Sequence, residues 1–417
     1  MLIHNISQLL TMKGGPQRGH DLGKLGLIEQ GALLMRGENI EAVGTQDELL
    51  TKYPDEPRLD ANGKVILPGF VDPHTHLVWA GDRAVEFEMR LEGRTYLEIL
   101  AAGGGIISTV EATRSADYQT LFAQTRARAK TMFRYGTTTA EAKTGYGLEC
   151  KSELDQLQIL MDLDKEGPLE IVPTFLPAHA VAPEYKTNPD EYVRLICSKM
   201  LPAAREHWVK HAAGKPMPFV DVFCETGAFD LVQSRRIFET ARDLGFPLKI
   251  HADEFDNLGG ARLAAELGAA SADHLVKTSL ADIEALAASS TVAVALPCTP
   301  FGLGQSEYTP ARQILDKGGL LALATDCNPG TAWCENMQFV IALACRALKL
   351  TPAQAIAAST INSAAAIQRA DRIGSIEPGK QADLVFLSVD DYRHLGYRFG
   401  ENLVNTVVKK GRIIPIL

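Results

Sequence analysis

Short apolar runs recur through most of this chain, each bounded by Gly, Pro, Asn or Asp. Longer stretches with apolar residues three and four apart lie between them. The runs at 65–71, 137–143, 170–176, 219–224, 247–251, 271–274, 292–296 and 320–325 read as strands. Helical periodicity fills 118–135, 154–165, 190–204, 231–244, 259–267 and 280–288. Eight strands, most followed by a helix, predict an α/β fold of the (β/α)8 TIM-barrel type. A doubly wound sheet is the rival, and polar residues at most strand ends favour the barrel. The two ends of the chain have a different texture. Residues 32–35, 40–43, 382–387 and 403–408 are strand-like, with Gly37-Glu38-Asn39 and Lys410-Gly411-Arg412 as turns. This predicts a small β-sandwich-like domain assembled from 1–64 and 372–417, beside a barrel over 65–371. Thr351-Pro352 opens a further helix, expected over 351–370, that joins the two.

Composition narrows the class. A chain of 417 residues can bury a large core, and no stretch approaches the unbroken apolar run of a membrane span. The start, Met1-Leu2-Ile3-His4-Asn5, shows no basic region followed by an apolar core, so no signal peptide is expected. Seven cysteines without a C-x-x-C spacing suggest reduced thiols and a cytoplasmic location. A net charge of -9 gives no reason to expect nucleic acid or an anionic membrane as partner. It leaves an anionic small molecule open, because one local arginine overrides the global sign.

The chemistry collects at the strand ends. In Phe70-Val71-Asp72-Pro73-His74-Thr75-His76, the period-two geometry of a strand points His74 and His76 the same way, with Asp72. Two converging imidazoles make half of a metal site. In a chain with ten histidines an isolated H-x-H is weak on its own. Later strands add Lys143 with Tyr146, then His179, Glu225, His251 with Asp253 and Glu254, Asp273-His274, and Asp326 with Asn328, Gly330 and Thr331. Half of the histidines thus fall at the carboxyl ends, where a parallel barrel keeps its active site. Gly103-Gly104-Gly105 lacks the lysine and the strand-to-helix setting of a phosphate loop, and a lid near the rim is the better reading.

Taken together, these stretches resemble the amidohydrolase superfamily. The finer resemblance is to the imidazolonepropionase family within it. It is carried by His76-Leu77-Val78-Trp79-Ala80-Gly81-Asp82-Arg83, Gly103-Gly104-Gly105-Ile106, Glu141-Ala142-Lys143-Thr144-Gly145-Tyr146-Gly147-Leu148, His251-Ala252-Asp253-Glu254-Phe255 and Thr325-Asp326-Cys327-Asn328-Pro329-Gly330. The resemblance implies one divalent metal ion per chain, zinc or iron, held by His74, His76, His251 and Asp326. Three imidazoles and a carboxylate suit either metal and leave a position for water. A binuclear site would need a bridging lysine from strand four, which ends Phe223-Cys224-Glu225; a Glu225 bridge is the alternative.

The resemblance also implies hydrolysis of the cyclic amide of 4-imidazolone-5-propanoate to N-formimidoyl-L-glutamate, by a homodimer. Asp326 is then expected as general base, Glu254 as proton shuttle to a ring nitrogen, and His274 as the group orienting hydroxide and polarising the carbonyl. Arg83 is expected to pair with the substrate carboxylate, against the alternative of a surface arginine paired with Asp82 or Glu86. Tyr146, His179, Asn328, Gly330 and Thr331 complete the expected substrate contacts. A deaminase of a heterocyclic base would share most of these residues but would give Arg83 no carboxylate to meet. A non-catalytic metal-binding scaffold would be missing a ligand or base, and none is missing.

Overall fold

The computed structural model describes residues 1–94, 98 and 103–416. Two sheets organise it. The first takes its strands from both ends of the chain: Leu2–Leu10 (β1), Leu27–Arg36 (β2), Asn39–Thr45 (β3), Arg58–Asp60 (β4) and Val65–Pro68 (β5) from the start. The second is parallel and built from the middle: Phe70–Asp72 (β6), Thr137–Lys143 (β7), Glu170–Ala178 (β8), Phe219–Cys224 (β9), Lys249–Ala252 (β10), Ser271–His274 (β11), Val292–Ala295 (β12) and Leu321–Leu323 (β13). Leu384–Leu387 (β14), Val404–Lys409 (β15) and Arg412–Pro415 (β16) return to the first sheet, whose order is β16-β15-β14-β5-β1-β2-β3, with β4 against β1. The middle strands run β6 to β13 in sequence order, separated by helices, which is a (β/α)8 barrel.

The expected strand over 65–71 is two strands in two sheets. Val65–Pro68 pairs with β1 and β14, whereas Phe70–Asp72 pairs with β7. The chain crosses between them at Gly69, where an added Cβ would lie 2.3 Å from the Thr138 side chain. The expected helix over 351–370 is also two pieces, Pro352–Ala358 and Ile361–Ala366. Between them the hydroxyls of Ser359 and Thr360 donate to the carbonyls of Ala355 and Ile356, competing with the helical ladder.

That break positions the second piece under the barrel. Asn362 Nδ2 donates to Leu321 O and Ser363 Oγ to Leu323 O, while Val71 N donates to Ser359 O. The helix fills the base of the seam between β6 and β13. At the rim the seam closes directly: Asp326 N donates to His74 O at 3.1 Å and His76 N to Cys327 O at 2.9 Å. Barrel closure therefore runs through the very residues that the sequence nominated as ligands. No helix among the described residues is long and apolar enough to cross a membrane, and all seven cysteines are free thiols.

Candidate metal centre and substrate cavity

His74 and His76 sit just past β6, where Pro73 ends the ladder and Asp72 turns to anchor the seam. Asp72 Oδ1 accepts from Thr325 N at 3.2 Å and Oδ2 from Thr325 Oγ1 at 2.5 Å. The carboxylate of Asp326 then lies 3.4 Å from His74 Nε2 and 3.6 Å from His76 Nε2. His251, at the end of β10, presents Nε2 to His76 Nε2 at 3.3 Å. The three sets His74–His76–Asp326, His74–His251–His274 and His76–His179–His251 each gather ligand atoms within 4.8 Å of one another.

These groups are buried, and four of the imidazoles, His74, His76, His179 and His274, are kept uncharged. Burial, then Lys143 and the neighbouring imidazoles, hold His74 far below the ordinary histidine range. Burial does the same to His76 and His274, with the surrounding imidazoles adding to it. Burial raises Asp326 to about 6, against hydrogen bonding from Thr299, whose hydroxyl donates to Oδ2. Neutral imidazoles gathered in one place, with His74 Nε2 buried and without a hydrogen-bond partner among the described residues, leave lone pairs turned into the cluster. A divalent cation satisfies that donor set, and neutral imidazole is the ligating form. The backbone is strained here as well: His274 has φ 79° and Asp326 φ 53°.

The outer nitrogens of two of these histidines are fixed by carboxylates from other strands of the barrel. His74 Nδ1 meets Asp273 Oδ2 at 2.6 Å, and His251 Nδ1 meets Asp221 Oδ1 at 3.1 Å. A buried lysine backs each carboxylate: Lys249 Nζ is 3.6 Å from Asp273, and Lys143 Nζ is 2.9 Å from Asp221 and 2.8 Å from Glu141. His251 and Lys143 hold Asp221 well below the usual carboxylate range, against its burial. Such outer partners set the tautomer and the aim of a ligating imidazole.

Glu254 and His274 come together, Oε2 to Nδ1 at 3.5 Å. Burial pushes Glu254 well above its ordinary value, with Asp326 and Glu225 adding to it. Glu225 does not face the histidines. Its oxygens accept backbone N–H groups of Thr226 at 2.9 Å, Glu254 at 3.1 Å, Phe255 at 2.9 Å and Asp256 at 3.1 Å, which shapes the loop carrying Glu254. His179 stacks on His76 with centroids 4.7 Å apart, and its Nδ1 meets Gly145 O at 3.0 Å. Burial lowers His179 to about 3. Tyr146 lies edge-on to His179 at 5.2 Å. Its loop is tied down by Glu153, which accepts from Gly145 N at 2.9 Å, Gly147 N at 2.8 Å and Leu148 N at 2.8 Å.

A cavity of about 880 Å³ opens above, lined by Arg83, Arg90, His179, Phe223, Phe255 and Thr331 among others. His179 is shared between cavity and histidine cluster. Arg83 lines this cavity and also pairs with Glu86, Nε to Oε2 at 2.8 Å and Nη2 to Oε1. Both readings of Arg83 thus meet in one place. Asn328 spends its amide on its own loop: Oδ1 accepts from Gly330 N at 2.8 Å and Thr331 N at 2.9 Å, and Nδ2 donates to Asp326 O at 2.7 Å. Gly105, at the end of the triple glycine, opens the helix Ile106–Ser115 and donates its N–H to Glu86 at 2.8 Å.

Sequence reasoning missed Asp221, Lys249 and Thr299, and gave Lys143 and Asp273 no role. A signal existed for four of these five. An acid or a lysine inside a strand buried on both faces must have a charged partner, as in Phe219-Val220-Asp221-Val222 and Leu248-Lys249-Ile250. Thr299 carried no such mark.

An amidohydrolase family model matches residues 233–414. A curated imidazolonepropionase of Herpetosiphon aurantiacus is 50% identical over 99% of this chain and 96% of its own length. Its counterpart from Chloroflexus aggregans is 48% identical over 99% of this chain and 98% of its own. Solved structures share the fold at low identity. Guanine deaminase of E. coli superposes with a TM-score of 0.72 at 16% identity, covering 99% of this chain and 98% of that one. 5-Methylcytosine deaminase of Klebsiella pneumoniae gives 0.72 at 18% identity, covering 99% and 97%. At 50% and 48% identity along nearly the whole length of both relatives, with five buried histidines and Asp326 gathered at the barrel rim, the chain belongs to the imidazolonepropionase family.

Proposed function

We propose that this chain hydrolyses the ring amide of 4-imidazolone-5-propanoate to N-formimidoyl-L-glutamate, a step of histidine degradation, with one divalent ion, zinc or iron. The observation that carries the reading is the buried His74–His76–His251–Asp326 cluster beneath a cavity walled by Arg83. An ion held by those four side chains would lower the pKa of water enough to make hydroxide available near neutral pH. Asp326, raised to about 6, accepts the proton that the attacking water gives up. The oxygen adds to the ring carbonyl, and His274 Nε2, buried and with no other partner among the described residues, donates to the developing oxyanion. Glu254, 3.5 Å from His274, delivers a proton to the departing ring nitrogen as the C–N bond breaks. His179 and Tyr146 flank the ring, Thr331 and the Asn328–Gly330 turn hold its polar end, and Arg83 meets the propionate.

A deaminase would use the same centre to expel ammonia. Proton NMR on purified protein with the imidazolone separates the two. The expected result is a formimidoyl C–H signal on glutamate with no free ammonia. Ammonia release with the ring left intact would overturn the reading.

A further inference from the structure

Arg83 alone is a poor receptor for a carboxylate in this structure. Its fork, Nε and Nη2, is occupied by Glu86, which also caps Gly105. The pair is close to neutral, and a neutral pair attracts an anion weakly. Only Nη1 remains, and it lies against Gly330, where an added Cβ would come within 2.3 Å of it. A second guanidinium reaches the same glycine. Arg90 Nη2 donates to Gly330 O at 3.1 Å, its Nε is buried with no partner among the described residues, and its side chain lines the same cavity. Arg83 and Arg90 fall on the helix end and first two turns of Ala84–Leu91, so they stand on one side of that helix, with Glu86 near Arg83.

We propose that Arg90 is a second specificity-determining residue, and that the substrate carboxylate is held between Arg83 Nη1 and the Arg90 guanidinium across Gly330. This rests on the proposed substrate. The charges support it. Among the described lining residues, Arg83, Arg90 and Arg94 stand against Glu86 and Glu225, which leaves the wall one net positive charge, matched to one carboxylate. Burial lowers Arg90, Glu86 offsets part of that, and Arg83 lowers it further, so an arriving anion relieves the strain between the two guanidinia. Glu86 is then a positioning residue that fixes the plane of Arg83 and keeps its Nη1 turned to the cavity.

The test compares two substrates on the full-length protein: the imidazolone propanoate and its uncharged propionamide counterpart. Arg90→Gln is expected to raise KM for the acid by roughly 10- to 100-fold, with kcat retained. The same variant should handle the amide as the unsubstituted protein does, so that the preference for the acid collapses. Arg90→Lys should recover part of the preference, because a point charge replaces a planar fork. Equal losses on acid and amide would overturn the proposal and reduce Arg90 to a brace for Gly330. An unchanged preference in Arg90→Gln would overturn it as well. Failure of the substrate reading looks different: the unsubstituted protein would turn over neither compound.

Discussion

Both ends of the barrel bury clusters of charge-bearing side chains, and the two clusters behave in opposite ways. At the end facing the terminal sheet, Lys409 Nζ lies 3.1 Å from Glu170 and 2.7 Å from Asp383, and Arg372 adds a contact to Glu170 at 3.4 Å. Burial pushes Glu170 up, but Lys409, Gln381, Lys410 and Arg372 together bring it down to about 2. At the rim the same burial drives Asp326 up to about 6 and keeps His74, His76 and His274 uncharged. The difference lies in partners. The base matches acid to base and so keeps its charges. The rim packs acceptors against acceptors and waits for a cation. Buried groups with satisfied charges hold a fold together, and buried groups with shifted, unsatisfied ones mark a place where chemistry happens.

Breaking the rim should cost function first. His251→Ala is expected to lose bound metal and reduce hydrolysis to background while the protein stays folded, checked by elemental analysis beside the absorbance assay. Arg83→Ala should lower kcat/KM by about 30- to 1,000-fold, roughly 2–4 kcal/mol, because it removes Nη1 and leaves Glu86 uncompensated beside the carboxylate, with metal content intact. Its effect belongs in KM, because the carboxylate has the same charge in ground and transition states. Asp221→Asn leaves every ligand in place but unfixes His251, so metal affinity should weaken by roughly 10- to 100-fold in a chelator competition.

Breaking the base should do the reverse. Glu170→Gln should leave kcat/KM unchanged and destabilise the fold by roughly 2–3 kcal/mol at pH 7 in denaturant melts. The sign follows from the depressed value. A carboxylate at about 2 in the fold and 4.5 when unfolded stabilises fully above 4.5 and loses that contribution as pH falls toward 2. The gap between Glu170→Gln and the unsubstituted protein should therefore narrow below about pH 4.5. A gap that widened on acidification would contradict the pairing.

The same contrast explains what the sequence made legible. Strands β7, β9 and β11 fall on the expected 137–143, 219–224 and 271–274, because buried parallel strands write themselves as compact runs. The helix Met337–Ala347 went unread, since its apolar residues run on without a clear polar face. The helix Ala84–Leu91 hid for the opposite reason: Val85, Phe87 and Leu91 face outward. His74 and His76 were readable because the H-x-H spacing is local. The meaning of Asp221 and Asp273 exists only across strands: β9 lies beside β10, which carries His251, and Asp273 on β11 meets His74 past β6. Arg90 was invisible for the same reason, since Gly330 is remote in the chain.

We propose that the rim cluster takes one cation and that this cation enables ring opening. Metal-free protein titrated with zinc or ferrous ion, with loss of imidazolone absorbance followed at each addition, tests it most directly. Activity should rise from background in proportion to added metal and level off at one ion per chain. A plateau at two ions per chain, or full activity before any metal is added, would contradict it.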